Sequence, residues 1–442
     1  MFNKSDLDSI ILNASPIRKS ILLFFIVLTS AALAQESGTT FIIVDTVFII
    51  GNNKTKSEVI LREIPFDFPH KIRPFEVNYI RNRIQNLFLF NQVEVNIENQ
   101  GLRHILLIEV KETWYIYPVP LLFINERDWS KWSYGFQLTH SNFRGMNEKV
   151  DLGGWAGYNP SFFINYYNPW IGEKTRLIFG LNLFGRRVAN KFFDFDEQHL
   201  GGKISFGKRL THKISMEGFF DLRRIMMPNE YQSFMASGTN RDLVPKYGVV
   251  FRFDGRDLFE YPKSGFFTSY AISHTGFNNN QPQFWRFESD NRVYIFLLEK
   301  YTLGGRNLLR LNVGDLPIYD RVFIGYGDRI RGYFNRVLTD QNLMLQNVEY
   351  RIPIIPVRYY SWEEAPLLSP FFQGLKFGLS MGIFADTGIV WDDGKQFALN
   401  NFYTGYGAGI HIHLPYIYLF RIDWAINDQG NTEWIFDLGV SF

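Results

Sequence analysis

From Trp114 to Phe442 the chain repeats one pattern, and that pattern leaves few folds open. Segments of about ten residues alternate large apolar side chains with polar or small ones, and Gly, Pro, Asn and Asp punctuate them. In 132–140, for example, Trp132, Tyr134, Phe136 and Leu138 share one face. A period of two is a strand's period, and about ten residues is the length of a strand that crosses a bilayer in a barrel. The predicted strands are 117–124, 132–140, 149–158, 162–167, 176–184 and 203–209. They continue through 213–222, 247–253, 266–275, 285–298 and 307–313. The series closes with 343–351, 375–384, 403–413, 416–424 and 434–442. That is about 16 strands, an even number as single-chain bacterial barrels have.

Composition permits this reading without deciding it. Aromatics make up 17% of the chain, with 44 Phe and 23 Tyr, yet the mean hydropathy of −0.12 is that of a water-soluble protein. A helical membrane protein needs apolar runs of about 18 residues or more, and none follows the N-terminal segment. A barrel needs none, because lipid-facing and lumen-facing residues alternate. A soluble all-β protein satisfies the same numbers. Trp155, Tyr158, Tyr166, Tyr167, Trp170, Trp391, Tyr416, Tyr418, Trp424 and Trp434 fall near segment ends, where interfacial girdles lie.

A net charge of +2, without a basic stripe or arginine-rich tail, gives no reason to expect nucleic acid. With no cysteine, disulfides, thiolate metal sites, a Cys nucleophile and a lipidated N-terminal Cys are excluded. Arg18 and Lys19 precede an apolar core at 21–28 and then Ala32-Leu33-Ala34, so residues 1–34 read as a secretory signal peptide cleaved after Ala34.

Residues 41–112 have a different texture, that of a small α+β unit with a β-α-α-β-β rhythm. Its first strand is 46–50, followed by a Gly51-Asn52-Asn53 turn. Thr55 is placed to cap a helix with Glu58 as its capping-box partner, and Val59, Ile60, Leu61 and Ile64 supply apolar positions. A second helix over 75–87 spaces Val77, Ile80, Ile84 and Leu87 at three and four residues. Val93, Val95 and Ile97 alternate along the next strand, and 105–110 is the last.

The residues of the small unit that carry a resemblance are Gly51-Asn52, Thr55, Ile60-Leu61-Arg62-Glu63, Leu87-Phe88, Phe90-Asn91, Val93-Glu94-Val95 and Val110-Lys111-Glu112. Together they resemble a POTRA domain. Within 114–442, Gly325-Tyr326-Gly327-Asp328-Arg329-Ile330-Arg331-Gly332-Tyr333 is similar to the glycine-rich (V/I/L)RG(F/Y) loop of the Omp85 superfamily. Phe384-Ala385-Asp386-Thr387-Gly388 resembles its FxDxG element, and Asp254-Gly255-Arg256-Asp257 with Pro262 and Gly265 its DxRD…PxxG hairpin. Glu349-Tyr350-Arg351 with Pro353, and Gly407-Ala408-Gly409 with Pro415, follow in the family's order. The resemblance implies a transmembrane barrel of the surface-antigen D15 type in a bacterial outer membrane, preceded by one periplasmic POTRA-like domain. It also implies a long loop folded into the lumen, its Arg331 clamped on the inner wall. Charge reasoning reaches the same residue independently. An arginine among glycines and aromatics inside a lumen cannot be left unpaired, and Asp386 and Glu349 are its natural bidentate partners.

Two expectations concern the barrel's seam. The first strand carries Pro118 and Pro120, which cannot donate ladder hydrogen bonds, and a closed barrel must pair it with 434–442. A weakly paired seam suits a lateral gate; prolines that merely mark the linker from the small unit are the plainer alternative. The last strand puts Trp434, Phe436, Leu438, Val440 and Phe442 on one face, like an outer-membrane assembly signal, but has Asp437 where that pattern has glycine.

Enzymatic readings find little. His411 and His413 share a strand face without a third clustered ligand, and no G-x-S-x-G elbow, phosphate loop or patatin-like domain is present. Asp392-Asp393 and Glu363-Glu364 read as solvated loops. The expectation is a cofactor-free assembly factor whose partners are outer-membrane lipids, unfolded outer-membrane or exported clients, and periplasmic or lipoprotein subunits. A secretion pore for one dedicated partner and an auxiliary subunit of a larger assembly complex are the alternatives. One POTRA-like domain, where secretion members usually carry two and a plug helix, weighs against the pore.

Overall fold

The computed structural model describes residues 41–101, 103–125, 128–190, 193–325, 327–333, 336–362, 372–392, 397–416 and 418–442. The signal-peptide segment, Tyr326, Glu363-Glu364 and Asp393 lie outside the described residues.

The small unit contains β1 (Ile42–Val44), β2 (Thr46–Ile50), α1 (Ser57–Leu61), β3 (His70–Ile72), α2 (Pro74–Gln85), β4 (Phe90–Gln100) and β5 (Arg103–Glu112). Central β5 runs parallel to β2 and antiparallel to β4, and β1 pairs with β3 in a separate two-stranded ladder. The rhythm therefore gains two short strands over the predicted one. Val59, Ile60, Ile80 and Ile84 pack with Val93, Val95, Leu106 and Ile108 in one core. Helix α1 is a turn shorter than its apolar spacing suggests: Leu61 is exposed, and Ile64 joins the core from the turn that follows.

Thr55 does not cap α1, whose N-cap is Lys56 without a side-chain cap bond. Its hydroxyl is buried instead, 2.8 Å from the Tyr115 hydroxyl, and accepts from Asn142 Nδ2 at 2.9 Å. Its amide donates to Glu112 at 2.7 Å. These groups sit where the unit meets the barrel, and a buried hydroxyl goes to the partners that satisfy it.

The barrel begins with β6 (Ile116–Ile124), β7 (Trp132–Phe143), β8 (Glu148–Gly157), β9 (Ser161–Ile171) and β10 (Leu177–Ala189). It continues with β11 (Asp196–Arg209), β12 (Ile214–Met226), β13 (Arg241–Asp254), β14 (Gly265–Thr275), β15 (Phe284–Leu297) and β16 (Tyr301–Gly314). A long loop carrying β17 (Val322–Ile324) and β18 (Leu338–Asp340) leads to β19 (Asn342–Tyr360). The last four are β20 (Leu375–Trp391), β21 (Tyr403–Leu414), β22 (Tyr418–Asn427) and β23 (Thr432–Leu438). Apart from β17 and β18, all form one 16-stranded antiparallel sheet in chain order. Every predicted strand corresponds to one observed strand, most of them longer than predicted because polar lumen residues near the rims blur the alternation.

The sheet curls, so distant strands touch across the lumen. The Tyr261 hydroxyl, in the β13–β14 turn, lies 2.9 Å from His411 Nδ1 on β21. Apolar residues such as Leu152, Phe162, Ile164, Leu200, Phe206 and Phe287 point outward, as the lipid-facing band of a barrel requires. Trp170 is not a girdle residue. It is buried, with the guanidiniums of Arg62, Arg176 and Arg209 over its ring at 5.2, 5.6 and 5.8 Å.

Candidate functional site

The loop between β16 and β19 turns back into the lumen because it is apolar. Val322, Ile324, Ile330, Tyr333 and Leu338 form a buried cluster with Leu308, Leu343 and Leu345 of the wall. Bare glycines allow the approach. Gly332 has φ +100°, and a Cβ there would lie 3.2 Å from Asn427. A Cβ at Gly405 would stand 1.8 Å from the Arg331 carbonyl, so the wall is bare where the loop rests on it. Gly325 bridges to Asp328 across Gly327 and tightens the loop tip.

Arg331 is the centre of the site. Its Nε and Nη2 donate to Asp386 at 2.7 and 2.9 Å, and its backbone amide donates to the same carboxylate at 3.0 Å. Its Nη1 donates to Glu349 at 2.7 Å, with Asp423 at 3.6 Å. The Phe384 ring lies beneath, its centroid 3.5 Å from Cζ. Arg331, Glu349 and Asp386 are all nearly fully buried. Gly388 completes the FxDxG element: a Cβ there would meet Ile324 at 2.8 Å, so its bareness admits the loop. A guanidinium out of water demands this many acceptors, since each unmade charged bond is costly.

Further anchors surround the clamp. Asp328 accepts from Arg306 at 2.9 Å and Arg310 at 2.8 Å, and Asp320 accepts from Arg223 at 2.9 Å. Contacts to both strands and the turn tie the loop to the barrel's final hairpin, among them Asn427 Nδ2 donating to Gly332 O at 2.8 Å. Gly332 N donates to Glu433 at 2.7 Å, the Tyr333 hydroxyl donates to Asp428, and Arg329 pairs with Asp437. Asp437 also accepts from Arg421 at 2.8 Å, which gives the departure from glycine a partner. Sequence reasoning missed Arg421, Asp423, Asp428, Glu433, Arg306 and Arg310. The available signal was a charge at a polar position of an alternating strand, as in Phe420-Arg421-Ile422-Asp423-Trp424.

The hairpin motif is structural. Arg256 Nε and Nη2 donate to Asp254 at 2.9 and 2.7 Å, and Asp257 accepts three turn amides. The turn thereby lifts Pro262 to the lumen mouth, where its carbonyl accepts from Arg351 at 3.1 Å. Of the two histidines, His411 meets Tyr261, and His413 lies 3.2 Å from Ser380 Oγ. Among the described residues no group of three or more His, Cys, Asp or Glu could hold a metal.

At the seam two expectations are corrected. The last strand does not run to Phe442 on one face. It ends at Leu438, Gly439 takes φ +81°, and Val440–Phe442 turn into the lumen. Trp434, Phe436 and Leu438 face outward, but Phe442 is 2% exposed. Its carbonyl accepts from the Tyr294 hydroxyl at 2.7 Å, their rings stack at 6.1 Å, and Ser441 donates to Glu349 at 3.0 Å.

The second correction concerns pairing, since among the described residues no ladder joins β6 to β23. The register explains why. Ser141 N donates to Tyr115 O and Asn125 N to Lys131 O, both at 2.8 Å, so odd residues of β6 bond to β7. The even ones, Ile116, Pro118, Pro120, Leu122 and Ile124, therefore face the seam. Two of these five lack an N–H. On the other side Gly439 N donates to Leu419 O, so Thr432, Trp434, Phe436 and Leu438 present their backbone groups to the seam.

Comparison with known proteins places these features. A family model described as the Omp85 superfamily domain matches residues 142–442. The outer membrane protein assembly factor BamA of Nitratidesulfovibrio vulgaris is 21% identical over 366 residues, or 80% of this chain. The match spans only 44% of that relative's length. Among solved structures, BamA from Haemophilus ducreyi lacking POTRA domains 1-3 superposes with TM-score 0.53 at 15% identity, covering 92% of this chain and 85% of that one. CdiB from Acinetobacter baumannii gives 0.50 at 12% identity, covering 90% and 73%.

Proposed function

Because the chain belongs to the Omp85 superfamily, we propose that it is an outer-membrane assembly factor that inserts client β-strands through its own seam. Its location follows from the family: it is an outer-membrane β-barrel. The observation that carries the reading is the β6–β23 seam, one edge stripped of two donors by Pro118 and Pro120, the other a short strand whose last residues have left it. An unsatisfied strand edge is a template for β-augmentation. The small unit on the periplasmic side receives unfolded chains at its own free edge and hands them to the seam. The lumen clamp is the fixed point against which the seam opens. No cofactor, nucleotide or bond-making chemistry is needed, because the work is strand exchange at a lipid boundary, with lipoprotein or periplasmic subunits as partners.

The fold likeness to CdiB keeps a dedicated secretion pore as the second reading. Depletion of the protein followed by outer-membrane and surface proteomics separates the two. Broad loss of barrel proteins supports the assembly factor, loss of one exported client supports secretion, and an unchanged outer membrane rejects both.

A further inference from the structure

Strand β19 is 19 residues long, and its periplasmic end outruns its neighbour. Its ladder to β16 stops at Arg351, opposite Thr302, whereas its ladder to β20 continues with two register shifts to Tyr360. Residues 352–360 therefore form a two-stranded ribbon with β20, and among the described residues their other edge pairs with nothing. The ribbon's tip rests on the small unit. Asn91 Nδ2 donates to Gln373 O at 3.1 Å, Lys111 Nζ donates to Ser361 Oγ at 3.2 Å, and a Cβ on Gly374 would stand 2.9 Å from Gln92.

Strand β4 is the other partner. It is the outer strand of its sheet. Thr113 N donates to Leu89 O, so odd residues of β5 bond to β4. Through the register beyond the bulge, the even residues of β4 bond back, and the amides of Val93, Val95 and Ile97 point away. Both free edges, 92–96 of β4 and 353–359 of β19, where Pro353 and Pro356 offer acceptors but no donors, line one cleft of about 690 Å³ between the small unit and the lumen mouth.

The rest of the lining suits a main chain. Asn82, Gln85 and Asn86 offer amides, while Phe88, Phe296 and Leu258 offer apolar surface. On the ribbon, Ile355 is 52% and Val357 41% exposed, apolar side chains left uncovered among the described residues. A row of outward amides, a second unpaired strand edge and mixed amide and apolar walls meet the needs of an extended polypeptide whose side chains alternate.

We propose that this cleft is a two-edged slot that takes one extended, amphipathic segment of client polypeptide as a strand between β4 and β19. The inference rests on the assembly reading above and adds to it a place and a second edge. The segment enters beside the small unit, bonds to both edges, and lies at the mouth of the lumen.

The test uses the full chain in detergent micelles and a fluorescent nine-residue peptide of its own residues 434–442, an alternating strand sequence. Binding is followed by anisotropy for the wild type, Val95→Pro and Val357→Pro, with heat-modifiable gel mobility as the check of folding. The slot predicts a loss of tenfold or more in affinity from each substitution. Loss with Val95→Pro alone overturns the slot but leaves single-edge augmentation by the small unit standing. No peptide binding, or binding indifferent to both, overturns the slot as well. Because either proline could unfold its strand, a photo-crosslinking residue placed singly at Asn96 and at Val357 gives a second reading. The peptide should crosslink at both positions, and a crosslink at only one rejects the slot.

Discussion

Arg331 holds two carboxylates, and a buried network of this kind is strongly destabilised when one partner is removed. Arg331→Ala leaves Asp386 buried without its cation and Glu349 with Arg351 alone, and breaking such a pair costs about 3–5 kcal/mol. The expected outcome is a lower temperature for loss of heat-modifiable gel mobility, with Arg331→Lys recovering little because an ammonium cannot fork to both oxygens of Asp386. Phe442→Ala empties the lumen pocket beside Tyr294 and costs about 3–5 kcal/mol by the same measurement. If Phe442→Ala leaves mobility unchanged, the tail is not anchored where the structure puts it. The motif and charge arguments in the sequence named Arg331 and both of its clamp partners. They missed the Arg329–Asp437 pair, because those two residues are brought together only by a loop that folds through the lumen.

At the scale of elements, the clearest predictions concern edges and docking. Pro118→Ala with Pro120→Ala restores two donors to the seam-facing side of β6. A disulfide between cysteines introduced at Leu122 and Phe436, straightforward in a cysteine-free chain, should then form faster, and assembly activity should fall. Unchanged crosslinking would show that the prolines do not govern the seam. The small unit is docked partly through Arg83, which pairs with Glu63 and whose Nη2 lies 3.1 Å from His212 Nδ1. Burial first, and Arg83 second, push the His212 pKa down to about 4. A histidine whose pKa is lower in the folded protein binds its proton more readily when released, so docking is intact above about pH 6.5 and weakens as the pH falls toward 4. Spin labels at Arg81→Cys and Lys174→Cys should report a longer, broader distance at pH 4.5 than at pH 7, and His212→Gln should flatten the change. The strands were legible because alternation is a local signal. Thr55 misled because its sequence context is a cap's, while its partners Tyr115 and Asn142 are 60 and 87 residues away. The broken last strand was illegible for a similar reason: Gly439 fits a continuous strand as readily as a bend.

For the whole molecule, clamp and slot share a single strand. Glu349 and Arg351 stand on β19 inside the lumen, and Pro353 to Tyr359 of the same strand border the cleft below. A strand of this length spans about 60 Å. Force applied at its periplasmic end is carried by covalent bonds and by the ladder to β20, which two register shifts between Pro353 and Arg358 bend on the way. The ribbon is then a lever with its fulcrum at the lumen mouth, where Arg351 donates to Glu349 at 2.7 Å and to Pro262. A polypeptide that tugs on the ribbon twists the bed on which Arg331 lies. On the assembly reading proposed above, the torque required to dislodge that loop sets how hard a client must pull before the final hairpin feels it.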